Sequence, residues 1–380
     1  MTGSDRYPNP DLAVRADNKQ GWNQPENRRH GFHNAHNLFR RALMVRSDSV
    51  LRLTDQPDED IGRKVRETGI IGHPAFSALV IARGDAVLFA AHADDFSLTQ
   101  PHSIQSVSKL HIHLIIGALI AEGHVQTEAT VETYLPWIGS AYRGATIGQL
   151  LDMNLCNNFS EDYEDPLADC YTEEIALGWR LPAPGDPEPT LRDFVAGLTG
   201  SDLRNRTGQA VYKSANTDVL TLVAAAASPL PILRALERIA DAAGYEGAAH
   251  ISLSPEGLPA FSGGLCLSAR DLARFGLLLF RVGRGEGGTG IGDGAFTRAT
   301  LERLGPPLGP HRPGIHYCGH VMTNGRWIGH AGYGGQFLMV DMTTGIVAAY
   351  LSVLENASGY DDDYMAWVIG ALGEVIGAAR

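Results

Sequence analysis

Basic residues are in short supply: 31 Lys and Arg stand against 43 Asp and Glu, a formal net charge of -12. A nucleic-acid binder needs a basic face to neutralise phosphates, so this balance argues against that class. No run approaches the ~20 apolar residues that span a bilayer, which excludes a helical membrane span. The opening Met1-Thr-Gly-Ser-Asp-Arg6 lacks the basic and apolar regions of a secretory signal, so a cytoplasmic location is expected. Only four cysteines occur, Cys156, Cys170, Cys266 and Cys318, with no CxxC pair, which signals neither a zinc knuckle nor a disulfide framework. Internal repeats and low-complexity tracts are absent.

What is present is an ordinary folded composition, 44% hydrophobic and 19% charged over 380 residues, enough for about two domains. Residues 1–60 read as an irregular lead-in, with helical spacing in Asn37-Leu-Phe-Arg-Arg-Ala-Leu43. Phe76–Arg83 and Ala86–His92, joined by Gly84-Asp85, predict a hairpin. From about 105 to 250 the signals are helical. The apolar stretch after Lys109 ends at Gly123, and threonine starts occur at Thr146 and Thr190. Further helical runs span 216–227 and 230–243. Ser268-Ala-Arg-Asp271 then predicts a capped helix, followed by a Gly-rich loop at 283–294. Strand signals return at 316–322, 336–341 and 346–354, and Asp361-Asp-Asp363 caps a last helix over 364–379. Strands at both ends with helices between predict an α+β fold: an antiparallel sheet built from both chain ends, flanked by helices, with an inserted helical domain. The expected division is 1–104 with 251–380, and 105–250.

The sharpest chemical feature is Ser103-Ile-Gln-Ser106-Val-Ser-Lys109. Ser106 and Lys109 are i and i+3, on one helical face. A lysine buried by the apolar helix behind it should lose charge and serve as a base for the hydroxyl. A capping serine beside a snorkelling lysine is the plainer alternative for these four residues alone. Further along, Val211-Tyr212-Lys-Ser214-Ala-Asn216 precedes a helix, and a tyrosine beside a neutral lysine can relay a proton. Gly329-His330-Ala-Gly332-Tyr333-Gly-Gly-Gln336 leads into a strand, where glycines admit a substrate close to backbone N–H groups. A helix cap and a Gly-rich hairpin are the respective plain alternatives.

In this order, Ser106-x-x-Lys109, Tyr212-x-Ser214 and His330-x-Gly332 resemble the serine β-lactamase and penicillin-binding superfamily. The pattern is most similar to its class C-like branch, which holds 6-aminohexanoate-dimer (nylon-oligomer) hydrolases and related esterases. Ser160-Glu-Asp-Tyr163-Glu-Asp-Pro166, Leu177-Gly-Trp-Arg180 and Gly263-Gly-Leu-Cys-Leu-Ser-Ala-Arg-Asp-Leu-Ala-Arg274 strengthen it, and it covers roughly residues 75–355. The resemblance implies a β-lactamase-like fold and acyl transfer to water. Ser106 is then the nucleophile, Lys109 the base and Tyr212 the proton shuttle, with the backbone N–H groups of Ser106 and Tyr333 as oxyanion hole. Tyr163, Ser214, His330 and Gly332 are the implied substrate contacts. No metal or organic cofactor is implied, the partner is a small-molecule amide or ester, and a homodimer is one assembly the resemblance allows.

Two positions depart from the pattern. His330 stands where β-lactamases carry a basic Lys that grips a substrate carboxylate, which disfavours β-lactamase activity. His113 lies one turn past Lys109, either tuning it or serving as a core histidine bonded to backbone, and His111 raises the same question. An amidase or esterase is therefore expected. The alternatives are a β-lactamase or D-peptidase-like activity, or a catalytically silent binding protein on the same fold.

Overall fold

The computed structural model describes residues 18–378. Its strands are β1 (Ala42–Val45), β2 (Thr54–Asp55), β3 (Phe76–Arg83), β4 (Ala86–His92), β5 (His102–Ser103), β6 (Ala249–Ser252), β7 (Leu265–Leu267), β8 (His316–Cys318), β9 (Val321–Thr323), β10 (Trp327–Gly332), β11 (Gln336–Asp341) and β12 (Ile346–Ser352). Eight form one sheet in the order β2-β4-β3-β12-β11-β10-β9-β8. Both chain ends contribute, as expected, and the sheet is antiparallel except where β2 runs parallel to β4. The fold is α+β.

Strand alternation divides the core. Ala78, Val80 and Ala82 face one apolar cluster, while Leu79 and Ile81 face another. The helices that position these faces and the site are α1 (Asn18–Trp22), α2 (Pro25–Leu38), α3 (Glu59–Thr68), α4 (Leu110–Ala121), α5 (Ser214–Ala227), α6 (Ala269–Gly283) and α7 (Asp362–Ala378). Helix α6 covers the first face. It begins at Ser268, whose hydroxyl accepts from the Asp271 N–H. It lies close because Gly276 has no side chain: a Cβ there would sit 2.4 Å from Val347 Cγ1. Helix α7, started by Asp361 accepting from the Tyr364 N–H at 2.8 Å, covers the second with α3.

The helical block runs between β5 and β6, with α4 and α5 packed together in it. Thr146 and Thr190 both cap short helices through capping boxes. Among the described residues no single helix is long and apolar enough to cross a bilayer.

Three local expectations are corrected. The stretch 37–43 is not one helix: α2 ends at Leu38, and Ala42–Val45 is a strand paired with β6. Arg40 and Arg41 between them are drawn to Glu188, so tertiary pairing overrides the helical spacing. The lead-in thus contains ordered helices and one edge of a four-stranded sheet, β1-β6-β7-β5, that the sequence did not signal. The run 316–322 is two strands, because Gly319 and His320 are both left-handed (φ 58 and 70) and turn the chain. Finally, the Gly-rich loop ends in an unanticipated helix, Gly294–Arg303, capped by Asp293.

Candidate active site

Ser106 lies on a single 3-10 turn, Gln105–Lys109, that feeds directly into α4. In a 3-10 helix residues i and i+3 eclipse, a tighter juxtaposition than an α-helix gives. Accordingly Lys109 Nζ donates to Ser106 Oγ at 3.0 Å. The turn is entered through Gln105, a non-glycine residue with φ 47, held by its side-chain amide donating to Ser103 Oγ at 2.6 Å. Such strain persists only where the surroundings enforce it.

Lys109 is fully buried, and its ammonium has three acceptors: Ser106 Oγ, Ser214 Oγ at 3.0 Å and the Ser262 carbonyl. Three acceptors match the donor capacity of a charged lysine. Burial pushes its pKa down, but Tyr212, Glu161 and Glu173 more than offset this, so it is raised. The expected neutral amine is thereby corrected: acidic neighbours supplied by distant segments outweigh desolvation. Tyr212 lies with its ring centroid 5.2 Å from Lys109 Nζ. Burial raises its pKa despite the lysine and its hydrogen-bonding contacts with Ser106 and Lys109.

Glu161 is the residue that sequence reasoning missed. It accepts from Ser214 Oγ at 2.6 Å, from the Ser214 N–H at 2.7 Å and from Tyr163 Oη at 2.9 Å. Ser214, expected at the substrate, is instead the bridge between Lys109 and this carboxylate. Glu161 sits in the acidic stretch Ser160–Pro166, yet nothing in that string separates it from its acidic neighbours. Behind the lysine lie Glu173 and Asp218, both buried and in contact, and both raised chiefly by burial. Glu173 Oε1 and both Asp218 oxygens accept no N–H or hydroxyl hydrogen bond among the described residues, so a proton held between the two carboxyls is the hydrogen bond that satisfies them.

Ser106 opens into a cavity of about 390 Å³ lined by Tyr163, Tyr212, Ala331, Gly332, Tyr333 and Arg312, among others. Strand β10 delivers its edge: pairing of Gly332 with Gln336 ends the β10–β11 ladder beside the nucleophile turn. A Cβ on Gly332 would lie 2.6 Å from the Ile104 carbonyl oxygen, so only glycine lets the strand approach. His330 does not join the cavity. It is buried, with Nδ1–H donating to the Ala331 carbonyl at 2.6 Å and Nε2 bonded to Tyr317 Oη at 3.0 Å. Burial pushes its pKa down to about 3, so it backs Tyr212 as a neutral ring rather than touching substrate. His113 Nδ1 donates to the Gly319 carbonyl and His111 Nδ1 to that of Ser108, at 2.7 and 3.0 Å. Both are core histidines, and neither bonds Lys109.

This arrangement pairs a hydroxyl with a buried amine and a phenol at the mouth of a cavity, the set that acyl transfer requires. The family model described as "Beta-lactamase" matches residues 63–370. The 6-aminohexanoate-dimer hydrolase of Paenarthrobacter ureafaciens is 31% identical over 301 residues, covering 76% of this chain and 73% of that protein. Among solved structures, one from Bacillus anthracis, provisionally named a 6-aminohexanoate-dimer hydrolase, superposes with a TM-score of 0.77. It is 18% identical, with 97% of each chain covered. The D-amino acid amidase of Ochrobactrum anthropi SV3 follows at 0.61 and 15% identity, over 84% of this chain and 99% of that one.

Proposed function

The chain belongs to the beta-lactamase family as a serine amidase or esterase, and we propose that Ser106 carries the acyl group of a small amide or ester. The observation that supports this most is Lys109 Nζ at 3.0 Å from Ser106 Oγ, where Ser106 opens into a cavity shared with Tyr212 and Tyr333. The name of the Paenarthrobacter relative supports a linear amide among the substrates.

In the resting site the Lys109–Tyr212 pair is fully protonated. Once it has lost one proton, the pair accepts the Ser106 proton as Oγ attacks the carbonyl carbon. The developing oxyanion is held by the N–H groups of Ser106 and Tyr333. Collapse breaks the bond to the leaving amine or alcohol, which takes its proton from Tyr212. Water then attacks the acyl-enzyme, giving its proton to the same pair, and the acid departs as the pair returns that proton to Ser106 Oγ. Glu161, through Ser214, holds the lysine in line and favours its charged form. Tyr163 lines the cavity beside the scissile bond.

A serine-reactive fluorophosphonate should form a Ser106 adduct on the folded protein, and absence of that adduct would overturn the assignment. A panel of p-nitrophenyl esters, the aminohexanoate dimer and a chromogenic cephalosporin sorts the substrates. Turnover of the cephalosporin alone would contradict the amidase or esterase reading.

A further inference from the structure

The turn that carries the Tyr333 N–H is held from outside. It joins β10 to β11, and that N–H has no acceptor among the described residues. Gly334 and Gly335 follow with φ 84 and 103, so the local backbone does not fix its direction. Two neighbouring segments do. The Gly334 N–H donates to the Gly359 carbonyl at 3.1 Å, and the Gly334 carbonyl accepts from the Leu354 N–H at 3.0 Å. Tyr333 Oη donates to the Ser358 carbonyl at 2.7 Å and accepts from Asn23 Nδ2 at 3.3 Å. The turn therefore hangs on residues 354–359, beyond β12, and on the link between α1 and α2.

Arg28 of α2 ties those two supports together, and it is 2% exposed. Its Nη1 donates to the carbonyls of Leu354 at 2.8 Å and Asn356 at 2.6 Å, and its Nη2 to that of Ala357 at 3.3 Å. Nε donates to the Asn23 carbonyl at 3.0 Å and to Asn23 Oδ1 at 3.2 Å. The guanidinium carbon lies 5.7 Å from the centre of the Tyr333 ring. A Cβ on Gly359 would meet Tyr333 Oη at 2.2 Å and Arg28 Cζ at 2.9 Å, so the three are closely packed. The acceptors of this buried cation are backbone carbonyls and one amide oxygen, not a carboxylate. Each carbonyl that moved away would strand a buried donor, so the guanidinium fixes the chain that carries them. Arg28 does not line the cavity at Ser106.

We infer that Arg28 is a positioning residue of the oxyanion hole: through residues 354–358 and Asn23 it sets the turn so that the Tyr333 N–H meets the carbonyl oxygen held at Ser106. Helices α1 and α2 precede the family match, which begins at residue 63. Part of the catalytic geometry is thus supplied from outside it. The inference rests on Ser106 as nucleophile and Tyr333 as oxyanion donor.

The test compares an aryl ester with its thionoester, in which sulfur replaces the carbonyl oxygen. Sulfur accepts hydrogen bonds poorly, so the ratio of the two kcat/KM values reads the oxyanion hole. Wild type, Arg28→Met, Arg28→Lys and Asn23→Ala are assayed below their melting temperatures, with active sites titrated by the fluorophosphonate. The wild type should favour the oxoester. Arg28→Met should narrow the oxo-to-thiono ratio by about tenfold, chiefly by slowing the oxoester. Arg28→Lys should narrow it nearly as far, since a point charge cannot span three carbonyls. Asn23→Ala, which cuts one link from the guanidinium to the phenol, should narrow it by about threefold. Loss of folded protein alone lowers both rates together and leaves the ratio unmoved. A wild-type ratio in folded Arg28→Met overturns the inference. Where that variant does not fold, the same result in Arg28→Lys, or failing both in Asn23→Ala, overturns it. A wild type that turns over both esters equally overturns the oxyanion assignment, and this inference with it. Absence of wild-type ester turnover together with no fluorophosphonate adduct overturns the nucleophile assignment itself.

Discussion

Lys109 illustrates how a motif can identify a residue and mislead about its state. The spacing to Ser106, with Tyr212 following, was readable because both are short, ordered patterns. The charge on the lysine was not, because it is set by Glu161, Glu173 and the phenol, which come from other segments and leave no periodic trace. With the ammonium favoured at rest, kcat/KM should rise with pH on the alkaline side of neutrality, as the Lys109–Tyr212 pair sheds a proton. Glu161→Gln removes the negative charge that holds the lysine up, so the rise should move to lower pH. The midpoint of the pH profile is the readout, since Glu161 also contacts Tyr163 and its loss can alter KM. An unmoved midpoint would mean that Ser214 does not couple this carboxylate to the lysine. Ser106→Ala should lose the fluorophosphonate adduct and lower kcat/KM by at least about 10³. Retention of either would place the nucleophile elsewhere. His330 was placed by its motif but not by its exposure: the string His-x-Gly cannot say that the ring turns inward to Tyr317.

Elements were legible where one residue dictates the local backbone. Ser268, Thr146, Thr190 and Asp361 start helices because a side-chain oxygen meets an otherwise unpaired N–H, a rule internal to a few residues. The β3–β4 and β11–β12 hairpins were equally local. The small sheet β1-β6-β7-β5 was not, since its strands are two to four residues long and β1 and β5 find their partners β6 and β7 far along the chain. Close packing between elements lies between these extremes. Gly276 faces Val347 across the α6–β12 contact with no room for a methyl group. Gly276→Ala should therefore lower stability by about 1–3 kcal/mol, read as a lower urea midpoint with an unchanged slope. Helix propensity alone predicts the opposite sign, since alanine is the better helix former. A stabilised variant would thus show that α6 can move off the sheet.

At the scale of the whole molecule, burial of neutral histidines sets the response to acid. His33, His36, His102, His111, His113, His320 and His330 all have pKa values pushed down, chiefly by burial. They come from α2, β5, α4, the β8–β9 turn and β10, so no single element carries the effect. For a group whose folded pKa lies below its unfolded one, the unfolded chain binds more protons between the two values. Stability is full above the unfolded pKa and is lost as pH falls through that window. For His111 and His113 the window runs from 6.5 to about 4, worth at most roughly 3 kcal/mol each. Glu173 and Asp218 act the other way, because their raised values keep protons on the folded chain as pH rises above the unfolded carboxyl range. Seven histidines outweigh one coupled acid pair, so the net effect of acidification is destabilising. Urea midpoints measured at pH 7, 5.5 and 4.5 should fall steadily. A midpoint that holds level or rises across this range would mean these rings are not buried neutral, and with them the packing of α4 against α5 and the turn at Gly319 would have to be redrawn.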